Sequence, residues 1–135
     1  IVCASLTGAA VSVMQRFEPE PALAEMAATA TTVMFGVPTM CIALCEAARG
    51  SAALPPLRIA HIGGAAVPVD VARRFEETFG ADIHEGYGLT DMSGLATTFA
   101  TGRRRKPGSV GKPSTNTEIR ISKRAHRLDL LAGND

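Results

Sequence analysis

Three short apolar runs, each ending at or just before glycine and separated by stripes of apolar side chains at helical spacing, constrain this chain more than any other feature. Residues 31–35, Thr-Thr-Val-Met-Phe, are β-branched and aromatic, as strands prefer, and stop at Gly36. Pro38 then opens a helix in which Cys41, Leu44, Cys45 and Ala48 recur on one face, with Gly50 placed for a left-handed C-terminal cap. Residues 57–62 form the next run and pass directly into Gly63-Gly64-Ala65-Ala66. A helix from about Pro68 turns Ala72, Phe75 and Phe79 inward and ends at Gly80, after which residues 80–85 lead to Tyr87. Nearer the N-terminus, residues 9–14 are apolar enough for a buried strand. Glu18-Pro19-Glu20-Pro21 suits a helix start, with Leu23, Met26, Ala27 and Ala30 as its buried stripe. Strands alternating with one-faced helices across short turns predict an α/β fold, a parallel βαβ sheet layer with right-handed crossovers.

In such a layer all strand ends share one rim, and ligands bind outside the carboxyl ends. The turns at Gly36-Val37-Pro38-Thr39, Gly63-Gly64-Ala65-Ala66 and Gly88-Leu89-Thr90-Asp91 are therefore expected to converge on one crevice. Beyond Gly94 the pattern changes. Residues 95–99 read as a strand, residues 102–108 as a basic loop, and residues 118–121 alternate like a half-exposed strand. The expected division is residues 1–94 as the sheet-and-helix layer carrying the nucleotide-site loops, and residues 95–135 as the start of a small β-rich subdomain, both within one larger domain.

Composition narrows the partners. Fourteen basic against thirteen acidic side chains leave a net charge of +1, which argues against nucleic acid or a membrane surface as an electrostatic partner. The run Arg103-Arg104-Arg105-Lys106 reads as a solvated loop, since no aromatic residues interleave with it. Cys3, Cys41 and Cys45 are odd in number without C-x-x-C spacing, and although Cys41 and Cys45 fall one helical turn apart no nearby His or further Cys completes a metal site, so they read as small apolar residues of a reducing, cytoplasmic compartment. No apolar run reaches the ~18 residues of a membrane span. The chain begins at Ile1 without an initiator methionine and stops just after an apparent strand and turn, as an internal piece of a longer chain would. His61 and His84 are expected in packed surroundings, with no carboxylate or serine companion nearby in sequence.

Gly86-Tyr87-Gly88-Leu89-Thr90-Asp91 holds two glycines, a ring, a hydroxyl and a carboxylate within six residues. Glycines admit a ligand to the backbone, an aromatic face stacks on a base, a hydroxyl donates to phosphate, and a carboxylate holds a hard cation. Taken alone the string is better read as a tight turn with a core tyrosine and an N-capping Thr-Asp pair, because short glycine-containing strings recur by chance. Three further strings decide the matter. In order along the chain, Gly36-Val37-Pro38-Thr39-Met40, Gly63-Gly64-Ala65, the hexapeptide, and Lys106-Pro107-Gly108-Ser109-Val110-Gly111-Lys112-Pro113 resemble the middle of an AMP-forming acyl-CoA synthetase of the adenylate-forming superfamily. The resemblance covers nearly the whole chain.

That resemblance implies an enzyme that joins a carboxylic acid to ATP as an acyl-adenylate, releases pyrophosphate, and passes the acyl group to coenzyme A, with Mg2+ as cofactor. By the same resemblance Gly63, Gly64 and Ala65 lie between adenine and the acyl pocket. Glu85, Gly86 and Gly88 belong beside the nucleotide, Tyr87 packs on adenine, and Thr90 meets the α-phosphate. Asp91 takes the place of a metal-associated carboxylate that is usually glutamate, shorter here by one methylene. Thr90 and Asp91 are thus the implied catalytic pair, Asp91 also the implied metal ligand. Attack on an α-phosphate needs donors and a cation, not a general base, so the lack of a Ser-His or Cys-His pair is no objection.

The family's phosphate loop, ribose-binding aspartate, hinge and C-terminal lysine lie outside these residues, so the isolated stretch is expected to be inactive. Gly86 before Tyr87 and Leu89 after Gly88 resemble CoA ligases more than peptide synthetases, and a fatty or aromatic acid is the implied substrate. Two alternatives remain: an adenylation domain that loads a carrier protein, and a non-catalytic nucleotide-binding module.

Overall fold

The computed structural model describes residues 2–92, 94–99 and 106–121. The expected parallel layer is present: β1 (Val33–Gly36), β2 (Ile59–Ile62) and β3 (Asp82–Glu85) form a three-stranded sheet in that order, each pair parallel. Helices α2 (Pro19–Ala28), α3 (Pro38–Ala48) and α4 (Val69–Phe79) pack on one of its faces, preceded by a short helix α1 (Val2–Thr7). Helix starts follow the prolines. Pro19 and Pro38 occupy the first turns of α2 and α3, where a missing N–H costs nothing, and Pro68 is the N-cap of α4.

One core joins helices and sheet. Met34, Ala60, Ile62 and Ile83 alternate onto the covered face and meet Leu23, Cys41, Leu44, Cys45, Ala72, Phe75 and Phe79. The Phe75 and Phe79 rings lie 4.6 Å apart at this junction. Burial pushes the Cys41 thiol up to about 12 and raises that of Cys45, so both act as small apolar side chains. At the free edge of β3, Glu76 of α4 accepts a hydrogen bond from the Ile83 amide at 3.2 Å, which satisfies a donor that no strand takes.

Several expectations are corrected. Residues 9–14 form no strand; Val11, Val13 and Met14 are exposed, because an apolar run becomes a strand only where a ladder and a buried face receive it. Ala30 lies beyond α2, exposed and with φ 50, so the buried stripe of that helix is Ala22 and Leu23 with Met26 partly covered. Gly50 is not a left-handed cap: α3 closes at Arg49 in ordinary helical geometry, with the Gly50 amide on the Ala47 carbonyl. Gly80 does take that role in α4, at φ 65, its amide donating to Glu76. Residues 118–121 form no strand, and Ile121 is almost fully exposed. The basic stretch at residues 101–105 lies outside the described residues.

Glycine-rich residues 86–89, expected as a strand end and loop, divide differently. After a single residue, Gly86, the chain enters strand β4 (Tyr87–Leu89), which pairs antiparallel with β5 (Gly94–Thr98) and belongs to a second sheet. A 3-10 turn, Thr90–Met92, lies between β4 and β5, and β6 (Lys112–Pro113) pairs with the far side of β5. Glycine did not stop the strand because the strand requires it. A Cβ at Gly88 would stand 2.1 Å from the carbonyl oxygen of Gly94, and one at Gly111, at φ +93, would stand 2.3 Å from that of Thr98.

Candidate nucleotide site

The carboxyl-terminal rim of the parallel sheet is paved with glycine backbone. The Gly63 amide donates to the Gly36 carbonyl at 3.1 Å, and the Gly86 amide donates to the Ile62 carbonyl at 3.0 Å. Gly36, Gly63 and Gly86 therefore sit side by side, and the segments leaving all three strands begin at one place. Gly64, at φ +81, abuts Val37: a Cβ there would touch Val37 Cγ1 at 3.5 Å. The convergence expected of the first two turns is thus observed, and the third strand joins it through Gly86.

Glu85, at the end of β3, is buried, and its Oε2 accepts a hydrogen bond from the Val67 amide at 3.3 Å. This contact ties the segment that follows Gly63-Gly64-Ala65 to the last residue of β3. A carboxylate so placed fixes the rim rather than presenting itself to solvent. Gly64 and Ala65 are exposed, and Gly63 partly so.

Past Gly86 the chain turns into the second sheet, whose register brings the next residues to the same edge. Tyr87 faces Thr97 while Gly88 faces Leu95, so β5 spends two residues against one on β4 and Ala96 is the extra one. Such a bulge bends and twists a strand, re-aiming the side chains beside it. Tyr87 stands 45% exposed, an aromatic surface unclaimed by the core. Thr90 and Asp91 follow in the 3-10 turn, both exposed. Gly63, Gly64, Ala65 and Gly86 come together at the rim; Tyr87 and Gly88 continue from it along β4, and Thr90 and Asp91 follow in the 3-10 turn.

The fourth string has a structural task. Pro107 and Gly108 make a turn, Ser109 Oγ accepts from the Gly111 amide at 3.3 Å, and Gly111 lets Lys112 and Pro113 close onto β5. Ser114 then fastens the end, its amide donating to Ala96 and its hydroxyl to the Leu95 carbonyl at 2.8 Å. This string thus holds β5, which holds β4 and Tyr87.

One arrangement escaped the sequence. Phe35, His61 and His84 face each other across β1, β2 and β3 in register, on the sheet face opposite the helices. Phe35 and His61 rings stack 5.0 Å apart, and His61 meets His84 edge-on at 5.3 Å. In the sequence each stands one or two residues ahead of a glycine, a position that does not by itself reveal the alignment, which comes from strand register.

Comparison with known proteins agrees with this architecture. Residues 1–130 match the family described as AMP-binding enzyme. Feruloyl-CoA synthase of Amycolatopsis sp is 35% identical over 119 residues, covering 87% of this chain and 24% of that protein. Among solved structures, O-succinylbenzoate coenzyme A synthetase of Bacillus subtilis, in complex with ATP and magnesium, superposes with a TM-score of 0.72 at 25% identity, covering 89% of this chain and 25% of the other. A malonyl-CoA ligase holding methylmalonyl-CoA and AMP superposes with a TM-score of 0.67 at 30% identity, covering 78% and 24%. The chain spans about a quarter of the length of the relatives it matches. With four strings in order, a glycine-paved rim and a match over residues 1–130, this chain belongs to the AMP-binding enzyme family, and its relatives are acyl-CoA synthetases.

Proposed function

We propose that this chain forms one wall of the nucleotide site of an enzyme that activates a carboxylic acid with ATP and transfers the acyl group to coenzyme A. The observation that carries the reading is the meeting of Gly36, Gly63 and Gly86 at one rim, followed by Tyr87 on a strand held by its own small sheet and by Thr90 and Asp91 in the turn after it. The relatives are CoA synthases and ligases by their names, which favours coenzyme A over a carrier protein as acceptor.

Tyr87 offers its exposed face to adenine, a sequence-tolerant interaction worth about 1–3 kcal/mol for a base on an aromatic ring. Gly63, Gly64 and Ala65 bring backbone close to the adenylate, and Gly86 and Gly88, where a Cβ would meet Leu95 and the Gly94 carbonyl, let the chain close onto β5 and so hold Tyr87 beside the nucleotide. Glu85 contributes as a positioning residue, holding Val67 and with it the segment after β2. Thr90 donates its hydroxyl to the α-phosphate. Asp91 carries one exposed carboxylate, and among the described residues no three His, Cys, Asp or Glu side chains gather into a cage. Such a donor set fits Mg2+, which is commonly held by one or two carboxylates and completed by substrate phosphates. When bound it neutralises charge on the phosphate oxygens. The reacting carboxylate is already a nucleophile, so the residues' work is to orient it and to stabilise charge on phosphorus.

A fatty or aromatic acid is the proposed substrate, and the cytoplasm, where the free thiols Cys41 and Cys45 stay reduced, the proposed compartment. Among the described residues no helix is long and apolar enough to cross a membrane. The test is exchange of labelled pyrophosphate into ATP by the intact enzyme across a panel of carboxylic acids, followed by thioester formation with coenzyme A. Acid-dependent exchange and a CoA thioester are expected; exchange with no acid in the panel would overturn the reading.

A further inference from the structure

We propose that His61 and His84 form a site for one divalent transition ion of the zinc type, which ties β2 to β3 just short of the rim. The inference goes beyond the proposed function and does not depend on it. The two residues are partners in the parallel register, so their side chains leave the same face of neighbouring strands. Their rings stand 5.3 Å apart with planes at 90°. Two imidazoles that share one tetrahedral zinc, each nitrogen about 2.0–2.1 Å from the ion, place their ring centres about 5 Å apart. The strands therefore already hold the required separation. The remaining freedom is rotation about χ2, which is broad and soft in histidine and can aim one nitrogen of each ring at a common point.

Unmet polar demand points the same way. His84 is 7% exposed, and its Nδ1 has no hydrogen-bond partner among the described residues. Buried polar atoms are normally paired, and an exception calls for a bound water or ion. Two other buried atoms lack partners, Arg74 Nη2 and Thr97 Oγ1, but neither belongs to the groups that transition ions select. His84 differs from them in having a second imidazole beside it. Phe35, stacked on His61 at 5.0 Å, backs that ring from the β1 side. Imidazole nitrogen suits zinc, copper and nickel, whereas Mg2+ keeps to oxygen, so this site is chemically distinct from the one proposed at Asp91. Glu85 is engaged by the Val67 amide, and among the described residues no third ligand joins the pair, so water completes the shell. Since β2 and β3 end at Ile62 and Glu85, a shared ion fixes the spacing of Gly63 and Gly86 in the rim.

The test is calorimetric titration of the intact enzyme with Zn2+ in saturating Mg2+, repeated with Co2+ as a spectroscopic probe. Wild type should bind Zn2+, and the affinity should fall by about a hundredfold or more in His61→Gln and in His84→Gln, since loss of even an outer contact to a metal ligand costs about 10–100-fold. Bound Co2+ should show weak visible ligand-field bands without intense sulfur charge transfer. Zn2+ should also slow amide exchange in residues 59–62 and 82–85 of wild type, and in neither variant. The Co2+ spectrum and the exchange measurement on wild type need no substitution, so a variant that fails to fold leaves them decisive. No Zn2+ binding by wild type would overturn the inference, and so would undiminished binding in both variants or unchanged exchange in the two strands. An intense sulfur band would place the ion at Cys41 and Cys45 instead and would overturn it too.

Discussion

In the parallel sheet, Met34, Ala60, Ile62 and Ile83 are at most 7% exposed beneath three helices; in the antiparallel sheet, Tyr87 is 45% and Leu95 52% exposed, and the strand beside them depends on two glycines. The first is held by apolar burial and tolerates any backbone that keeps its stripes. The second has little to bury, so it is held by close backbone approach, at Gly88 against Gly94 and at Gly111 against Thr98. The difference separates scaffold from site. A surface that, in the proposed function, offers a ring, a hydroxyl and a carboxylate to a ligand cannot also bury them, and its shape then comes from backbone fit and from anchoring to the buried layer through Gly86.

Substitutions at four positions in the intact enzyme can break or sharpen that contrast. Phe75, wholly buried between α4 and the sheet, is the strongest test of the buried layer. Phe75→Ala should cost about 3–5 kcal/mol, read as a lowered urea midpoint with amide exchange accelerated across β1 to β3. Next comes Gly88→Ala, where backbone and not a flexible side chain blocks the new methyl. It should cost up to about 3 kcal/mol, with faster exchange confined to β4, β5 and β6 while β1 to β3 stay protected. Equal loss of protection in both sheets would erase the distinction drawn between them. Tyr87→Ala should raise the KM for ATP by the equivalent of about 1–3 kcal/mol, with the acid's KM moved less and Tyr87→Phe near normal. A raised acid requirement with ATP unchanged would move this ring to the acyl side. The smallest effect is expected at Gly50, where a Cβ meets nothing within 4 Å. Gly50→Ala should be neutral or stabilise by about 0.4–1 kcal/mol in thermal unfolding, against the large loss from the same change at Gly88.

The buried layer was readable because its stripes are consequences of its packing. Cys41, Leu44 and Cys45 recur at helical spacing since one side of α3 meets the core, and Ala72, Phe75 and Phe79 do so in α4. Local chemistry without such a stripe misled. Residues 9–14 have apolar content but no period tied to a face, and Ile119 and Ile121 alternate with charge yet are exposed. The second sheet was hidden for a different reason. Glycine at 86 and 88 ordinarily signals a turn, and nothing local reveals that residue 94 crosses so near residue 88 that only glycine fits. The family was legible through the order of four strings; the ring row of Phe35, His61 and His84 was not, because its members are brought together only by register.

In the proposed function the turn that follows β4 presents phosphate chemistry at Thr90 and Asp91, and an Asp91 series tests this most directly. Loss of a group that stabilises developing charge costs about 10²–10³ in rate at comparable oxyanion sites, so adenylation should fall on that scale in Asp91→Ala, with less change in the acid's KM. Asp91→Asn keeps shape and loses charge, and should fail similarly; Asp91→Glu keeps the carboxylate and should retain activity. A residue that merely shapes the turn would rank them the other way, since asparagine suits turns and caps better than glutamate. The decisive measurement is the single-turnover rate of acyl-adenylate formation at saturating Mg2+ for wild type, Asp91→Asn and Asp91→Glu. Near-wild-type rates for glutamate with collapse for asparagine are predicted, and near-normal adenylation by Asp91→Asn would contradict the claim.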